Sequence, residues 1–287
     1  IVGVTTPLSA NITPAPVTIS GLSANNKVYD TTVTASLSGT ATISGLLTGD
    51  TATLSGTATA GTFASSNVAN GIAVTANLSN LALSNSNYAI VGVTTPLSAN
   101  ITPAPVTITA SSDSKVYGST TTQANISYVN GAAVTNSGYS VSGLLGSDTV
   151  SNVTLTSVGG LAISGVNGSP YVINVGVAVG TGGLSNYAVS YVSGVMTVTP
   201  KPLTVTVANQ SMNYGANALP TFTYTTSGLV NGDSTTITVS TAATPFNGSA
   251  GSASNVGTYV LTAIASSNPN YSVNSVNGTL TVNPINL

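Results

Sequence analysis

Residues 90–108 read IVGVTTPLSANITPAPVTI, and residues 1–19 read the same, letter for letter. An identity of nineteen residues, starting at positions 1 and 90 and so offset by 89, makes the chain a tandem array. Fixed-period self-similarity of this kind sets the architecture before any local propensity does. The first copy stands with no module ahead of it. Residues 1–13 are therefore expected to be the closing strand of a preceding module. Such a strand is either a slice of a longer array or is free to complete the sheet of another subunit.

Three landmarks recur in order along the chain. An opening motif appears as Lys27-Val-Tyr29-Asp30, Lys115-Val-Tyr117-Gly118 and Met212-Asn-Tyr214-Gly215. Next comes Gly45-Leu-Leu-Thr-Gly-Asp50, matched by Gly143-Leu-Leu-Gly-Ser-Asp148 and Gly228-Leu-Val-Asn-Gly-Asp233. A closing motif follows: Asn87-Tyr88-Ala-Ile90, Asn186-Tyr187-Ala-Val189 and Asn270-Tyr271-Ser-Val273. Opening to closing tyrosine is 59 residues from Tyr29 to Tyr88, 70 from Tyr117 to Tyr187 and 57 from Tyr214 to Tyr271. Landmarks persist while the intervening length varies, which predicts one fold with different loops. The expected organisation is residues 1–13 as the preceding strand, then modules at 14–103, 104–200 and 201–287. The pairs Pro103/Pro105 and Pro200/Pro202 read as short linkers, because two prolines one residue apart fix φ and favour extended backbone. A semi-rigid rod is the consequence expected.

Only 3% of the 287 residues are charged, and there is no Arg, Glu, His, Cys or Trp. A net charge of −2 provides no basic patch, which excludes the usual electrostatics of nucleic-acid binding and of anionic lipid surfaces. Ser, Thr, Asn and Gly interrupt every apolar run before the length a bilayer requires, so no membrane insertion is expected. Val, Ile, Thr and Tyr are plentiful, whereas the strong helix formers are scarce. Alternation with period two marks Thr51–Ser55, Thr102–Thr109, Val150–Thr156, Val195–Thr199, Leu203–Val207, Thr235–Ser240 and Thr279–Val282. Asn-Gly turns, such as Asn70-Gly71 and Asn231-Gly232, punctuate these runs. The fold class predicted is all-β: a tandem array of Ig-like or β-grasp-like antiparallel sandwich modules joined by the Pro-x-Pro linkers.

The series T-P-A-P-V-T-I, K-V-Y-D, G-L-L-T-G-D-T, S-N-V and N-Y-A-I resembles the YDG and MBG modules repeated in very large bacterial surface proteins of the filamentous-haemagglutinin-like adhesin class. The first unit looks most like a YDG module. The third, with Asn255-Val-Gly-Thr-Tyr259 and Asn270-Tyr-Ser-Val273, looks most like an MBG module. One departure is Thr31, where the YDG pattern has glycine. The resemblance implies secreted β-rich stalk domains at the cell surface and no catalysis.

Candidate chemistry is sparse. Without His, Cys or Glu the usual general base, nucleophile partner and zinc ligands are missing, and five aspartates scattered along the chain form no calcium loop. No cofactor or metal is expected. Lys27 with Asp50, and Lys115 with Asp148, hold equivalent places in two modules. They read as ion pairs or, as the resemblance to surface-fibre domains allows, as the Lys and assisting Asp of an isopeptide crosslink. Tyr29, Tyr88, Tyr117, Tyr187, Tyr214 and Tyr271 read as core aromatics whose hydroxyls bond nearby backbone; the alternative is a sugar-stacking platform. Ten Asn-x-Ser/Thr sequons, among them Asn11, Asn77, Asn100, Asn125 and Asn152, leave glycosylation open.

A β surface without charges lacks the usual protection of edge strands, which suits lateral or end-to-end association. The reading is a structural segment of an extracellular bacterial fibre or adhesin stalk that associates with itself. Its alternative is an adhesive module recognising a surface glycan or protein through its loops.

Overall fold

The computed structural model of the chain describes residues 9–120, 126–129, 138–181 and 184–285. The first repeat contains β1 (Ala15–Ala24), β2 (Lys27–Val28), β3 (Thr34–Ser44), β4 (Leu54–Ser55), β5 (Ala60–Phe63), β6 (Ala69–Ala76), β7 (Ala82–Leu83), β8 (Tyr88–Val93) and β9 (Leu97–Thr102). The second contains β10 (Ala104–Ala110), β11 (Asp113–Val116), β12 (Ile126–Val129), β13 (Tyr139–Ser142), β14 (Thr149–Thr156), β15 (Tyr171–Thr181), β16 (Tyr187–Val192) and β17 (Gly194–Thr199). The third contains β18 (Lys201–Val207), β19 (Gln210–Asn213), β20 (Tyr224–Ser227), β21 (Ile237–Thr241), β22 (Gly257–Ala265), β23 (Tyr271–Val276) and β24 (Gly278–Asn283). Single 3-10 turns are the only helical pieces among the described residues. The chain is all-β.

Alternation produces the strands where it was read. In β17, β18 and β24 every second residue is buried, namely Met196 and Val198, Leu203, Val205 and Val207, and Leu280 and Val282. Only Leu54–Ser55 of the run at 51–55 is strand.

The third repeat forms two sheets, ordered β20-β18-β23 and β19-β24-β22-β21, and the second forms β13-β10-β16 and β11-β17-β15-β14-β12. In the first repeat the corresponding strands join into one seven-stranded sheet, β2-β9-β6-β5-β3-β1-β8. The continuity comes from β3, which pairs with β1 through Leu37–Ser44 and with β5 through Thr34–Ser36. A bulge between Ser20 and Leu22 marks the bend. There Gly21 and Gly39 face each other with φ of 82° and 94°, and a Cβ on Gly39 would lie 2.1 Å from the Gly21 carbonyl oxygen. Only glycine fits so close a backbone approach.

The sheets are mixed rather than purely antiparallel. First and closing strands pair in parallel, β1 with β8 and β18 with β23, as do opening and last strands, β2 with β9, β11 with β17 and β19 with β24. Each such pair is separated by nearly a whole repeat. That length supplies the crossover that parallel pairing needs and that a tight hairpin lacks.

Packing divides the chain into two compact units: residues 1–107 with 141–150 and 179–190, and residues 108–140 with 151–178 and 191–287. This grouping differs from the three segments expected. In the first unit, Ala104, Val106 and Tyr187 of the second repeat share a core with Phe63, Val74, Leu97 and Ile101. In the second unit, Tyr117 and Val198 share one with Leu203, Leu261 and Leu280. Pro103 and Pro200 are single-residue breaks between strands, while Pro105 and Pro202 are the second residues of β10 and β18. Of the expected preceding strand at 1–13, residues 1–8 lie outside the described residues, and residues 9–13 are not strand.

Candidate functional site

The G-L-L-x-x-D landmark is a tight turn closed by a backbone hydrogen bond. The aspartate N–H donates to the residue three before it: Asp50 to Leu47 (3.0 Å), Asp148 to Leu145 (3.1 Å) and Asp233 to Val230 (2.9 Å). Its leading glycine is obligatory in two copies. Gly143 and Gly228 have φ of 98° and 116°, and a Cβ on either would lie 2.4 Å from the carbonyl oxygen of Pro105 or Pro202. The proline and glycine landmarks therefore meet, and their contact aims the turn.

Onto each turn the closing tyrosine folds back. Its hydroxyl accepts from the backbone N–H of Leu47, Leu145 or Val230 at 3.0–3.1 Å. It donates to the Oδ2 of the turn's aspartate: Tyr88 to Asp50 (2.6 Å), Tyr187 to Asp148 (2.7 Å) and Tyr271 to Asp233 (2.7 Å). All three rings are buried.

A second tyrosine comes from the preceding repeat. Opening tyrosines are anchored at the end of their strands by backbone bonds, Tyr29 N–H to the Thr102 carbonyl, Tyr117 to Thr199 and Tyr214 to Asn283. Tyr29 donates its hydroxyl to Asp148 Oδ2, and Tyr117 to Asp233 Oδ2, each at 2.9 Å. The two rings at each aspartate meet edge to face, Tyr29 against Tyr187 (5.4 Å, 80°) and Tyr117 against Tyr271 (5.6 Å, 82°). That geometry is the favoured one for aromatic pairs. The asparagine before the closing tyrosine completes the junction. Asn186 accepts from Val68 N–H (2.9 Å), and Asn270 from Val166 N–H (2.8 Å). The first junction lies wholly within one compact unit and the second wholly within the other.

Electrostatics follow from the geometry. Burial, then the hydrogen bond to Asp148, pushes Tyr187 up to about 12. Tyr29 is raised by burial and by the same carboxylate. Tyr88, facing Asp50, is raised chiefly by that hydrogen bond, and Tyr271 by burial. A carboxylate holding two phenolic protons favours the protonated phenol. The cluster is thus a hydrogen-bonded clamp at neutral pH.

The lysines sit elsewhere than expected. Lys27 Nζ contacts Asp30 Oδ1 (2.6 Å), the Thr32 carbonyl (2.7 Å) and the Phe63 ring (5.4 Å), not Asp50. Burial pushes Asp30 up, but the bonds from Lys27 and Thr32 outweigh it and hold the carboxyl below its usual range. Lys115 is 6% exposed and donates to the Ser119 and Leu161 carbonyls, not to Asp148. Burial lowers its pKa. Neither lysine reaches its expected aspartate, because Asp50 and Asp148 are taken by tyrosines. Of the six tyrosines five are buried, while Tyr214 is 39% exposed. No group of three or more His, Cys, Asp or Glu that could hold a metal ion occurs among the described residues.

The aspartates were thus paired with the wrong partners in the sequence, although the sequence holds a signal for the right ones. Aspartate and closing tyrosine are 38, 39 and 38 residues apart, a spacing far steadier than the length of the repeats.

Comparison with known families bears on the same landmarks. Residues 13–96 match the model of the YDG domain, and residues 203–281 match that of the MBG domain of YGX type. The chain is thus similar to a YDG domain over its first repeat and to an MBG domain over its third. Asp50 and Tyr88 fall within the stretch that matches the YDG model, and Tyr214, Asp233 and Tyr271 within the stretch that matches the MBG model. None of the curated proteins compared with the chain matches it. Among solved structures, the chain is similar to the N-terminal eight Ig domains of Down Syndrome Cell Adhesion Molecule isoform 1.30.30 (13% identity, 92% of this chain, TM-score 0.21). It spans 42% of that structure's length. It is also similar to the N-terminal four Ig domains of Dscam1 isoform 7.44 (12% identity, 92% of this chain and 72% of that one, TM-score 0.20).

Proposed function

We propose that this chain is a structural segment of an extracellular bacterial fibre or adhesin stalk, secreted to the cell surface, whose repeats hold one another at fixed angles. The observation that carries the reading is the junction made twice: opening tyrosine, aspartate and closing tyrosine in nearly the same geometry. Buried directional hydrogen bonds fix an orientation, which flexible linkers cannot. A chain that builds the same junction twice, and which lacks imidazole, thiol and glutamate, is suited to transmit position rather than to turn over a substrate.

The reading of the tyrosines as a sugar-stacking platform is weakened by the burial of five of the six. Small-angle scattering of the intact chain tests the main reading. An elongated particle that becomes shorter or more flexible in Asp148→Ala supports it. A compact particle, unchanged by the substitution, overturns it.

A further inference from the structure

Each junction brings two tyrosine rings together and aims both hydroxyls at one atom. Tyr29 and Tyr187 donate to Asp148 Oδ2 at 2.9 and 2.7 Å, and Tyr117 and Tyr271 donate to Asp233 Oδ2 at 2.9 and 2.7 Å. The ring centroids are 5.4 and 5.6 Å apart, edge to face, within the range of direct ring contact. Because the hydroxyls converge, the ring carbons beside them, ortho to oxygen, converge as well. Those carbons carry much of the unpaired spin of a phenoxyl radical.

Composition directs oxidation to the same groups. The chain has 12 tyrosines, 2 methionines and neither Trp nor Cys, so a phenol is the side chain that gives up an electron most readily. Exposed tyrosines such as Tyr191 and Tyr224 present a radical to solvent, whereas the four junction rings are only 4–6% exposed. A radical formed at a junction therefore meets its partner ring before it meets anything dissolved. Loss of the electron alone would leave a buried cation, so the proton must leave with it. Tyr187 holds that proton up to about 12, through burial and then the bond to Asp148. A carboxylate at hydrogen-bond distance is placed to take it as the electron departs. Asp148 and Asp233 are half-buried, so the proton passes on to water and the acceptor is restored for the second phenol.

We propose that Tyr29 with Tyr187, and Tyr117 with Tyr271, are sites of oxidative crosslinking, at which a one-electron oxidant joins adjacent repeats by a dityrosine bond. Each phenol gives one electron to the oxidant and one proton to the aspartate. The two phenoxyl radicals then form a carbon–carbon bond between their ortho carbons. The hydrogen on each of those carbons moves to its phenol oxygen as the rings become aromatic again. Per crosslink, two equivalents of oxidant are reduced, two protons reach water, and the chain is lighter by two hydrogens. The new bond closes a loop longer than a repeat, and so restricts the unfolded chain as a disulfide does. The chemistry needs only the junction, not the stalk role.

The full chain, kept dilute so that molecules do not meet, is oxidised with tris(bipyridyl)ruthenium(III) generated by light and persulfate, then digested and mapped by mass spectrometry. The expected products are peptides joining Tyr29 to Tyr187 and Tyr117 to Tyr271, each lighter by two hydrogens, with dityrosine fluorescence in the monomer. Tyr29→Phe keeps the ring and should lose the first crosslink while retaining the second. Asp148→Asn keeps an acceptor oxygen for the hydroxyls but takes no proton. It should lower the first crosslink by about tenfold or more against the second, which reports in the same molecule that the chain is folded. Absence of both crosslinks, dityrosine confined to other tyrosines, or an unchanged ratio in Asp148→Asn overturns the proposal. The stalk reading, tested by scattering, stands or falls separately.

Discussion

The two copies of IVGVTTPLSANITPAPVTI behave alike in one half and differently in the other. Val17 and Ile19 of the first copy, like Val106 and Ile108 of the second, are buried inward residues of a first strand. In the second copy, Leu97–Thr102 is strand β9, held between β2 and β6, and Ile101 is 1% exposed. In the first, the identical residues 9–13 are not strand, and Ile12 is 100% exposed. Since the sequence is the same, the difference lies in the neighbours. β propensity describes a fit to a half-buried pleated surface, and without partner strands there is no such surface to fit.

The sharpest way to break this comparison is one substitution made at both positions. Ile101→Ala should lower stability by about 3–4 kcal/mol, through lost transfer energy and a residual cavity. Ile12→Ala should leave it within about 0.5 kcal/mol. Urea unfolding of the two variants checks this, and equal losses would mean that residues 9–13 are packed against something in solution.

The same contrast of used and unused copies applies to the aspartates. Asp148→Ala removes the acceptor of two buried phenols and should cost about 2–3 kcal/mol. Asp50→Ala removes the acceptor of one, at an exposed carboxylate that water replaces, and should cost about 1 kcal/mol. If the losses were equal, Tyr29 would contribute nothing to the junction.

Alkaline pH sharpens the comparison spectroscopically. A phenol raised from the ordinary 10 to about 12 in the folded state, as Tyr187 is, binds its proton more tightly when folded. Its contribution to stability is therefore complete below pH 10 and is lost as pH rises from there through 12. Ultraviolet titration should show a tyrosinate appearing near pH 12 in the parent chain. Asp148→Asn should bring that tyrosinate to lower pH, because the carboxylate that disfavours ionisation is gone. An unchanged titration would mean that burial alone raises Tyr187.

Much of the fold was legible in these residues, because period two is a local property. Alternation in Leu203–Val207 or Thr279–Val282 is the inward and outward pleat itself. The parallel pairs were not legible, since nothing local to β1 distinguishes β8 from β3 as its neighbour. The site was half legible. Recurrence picked out Tyr29, Tyr187 and Asp148, but a lysine beside a lone carboxylate suggested an ion pair, and Asp148 is bound instead by a tyrosine 119 residues earlier in the chain. Partners from adjacent repeats are invisible when each repeat is read as a closed unit.

The smallest effect expected concerns the turn after the opening tyrosine, where the first repeat departs from the others. Gly118 and Gly215 follow their tyrosines directly, with φ of 83° and 80°, whereas the left-handed residue of the first repeat is Thr31, one position later, with φ of 69°. A β-branched residue in that region carries about 1–2 kcal/mol of steric cost, since its Cβ crowds the following carbonyl oxygen. Glycine removes that cost, but it loses about 0.5–1 kcal/mol more conformational freedom on folding. The substitution also removes a methyl that lies 3.2 Å from the Cβ position of Gly146. The balance favours Thr31→Gly by roughly 0.5 kcal/mol, seen as a small rise in the urea midpoint with an unchanged slope. A fall in the midpoint would show that the Thr31 methyl contributes more against the Gly146 turn than its backbone strain costs. Thr31 would then belong to the junction rather than being a departure from the YDG pattern.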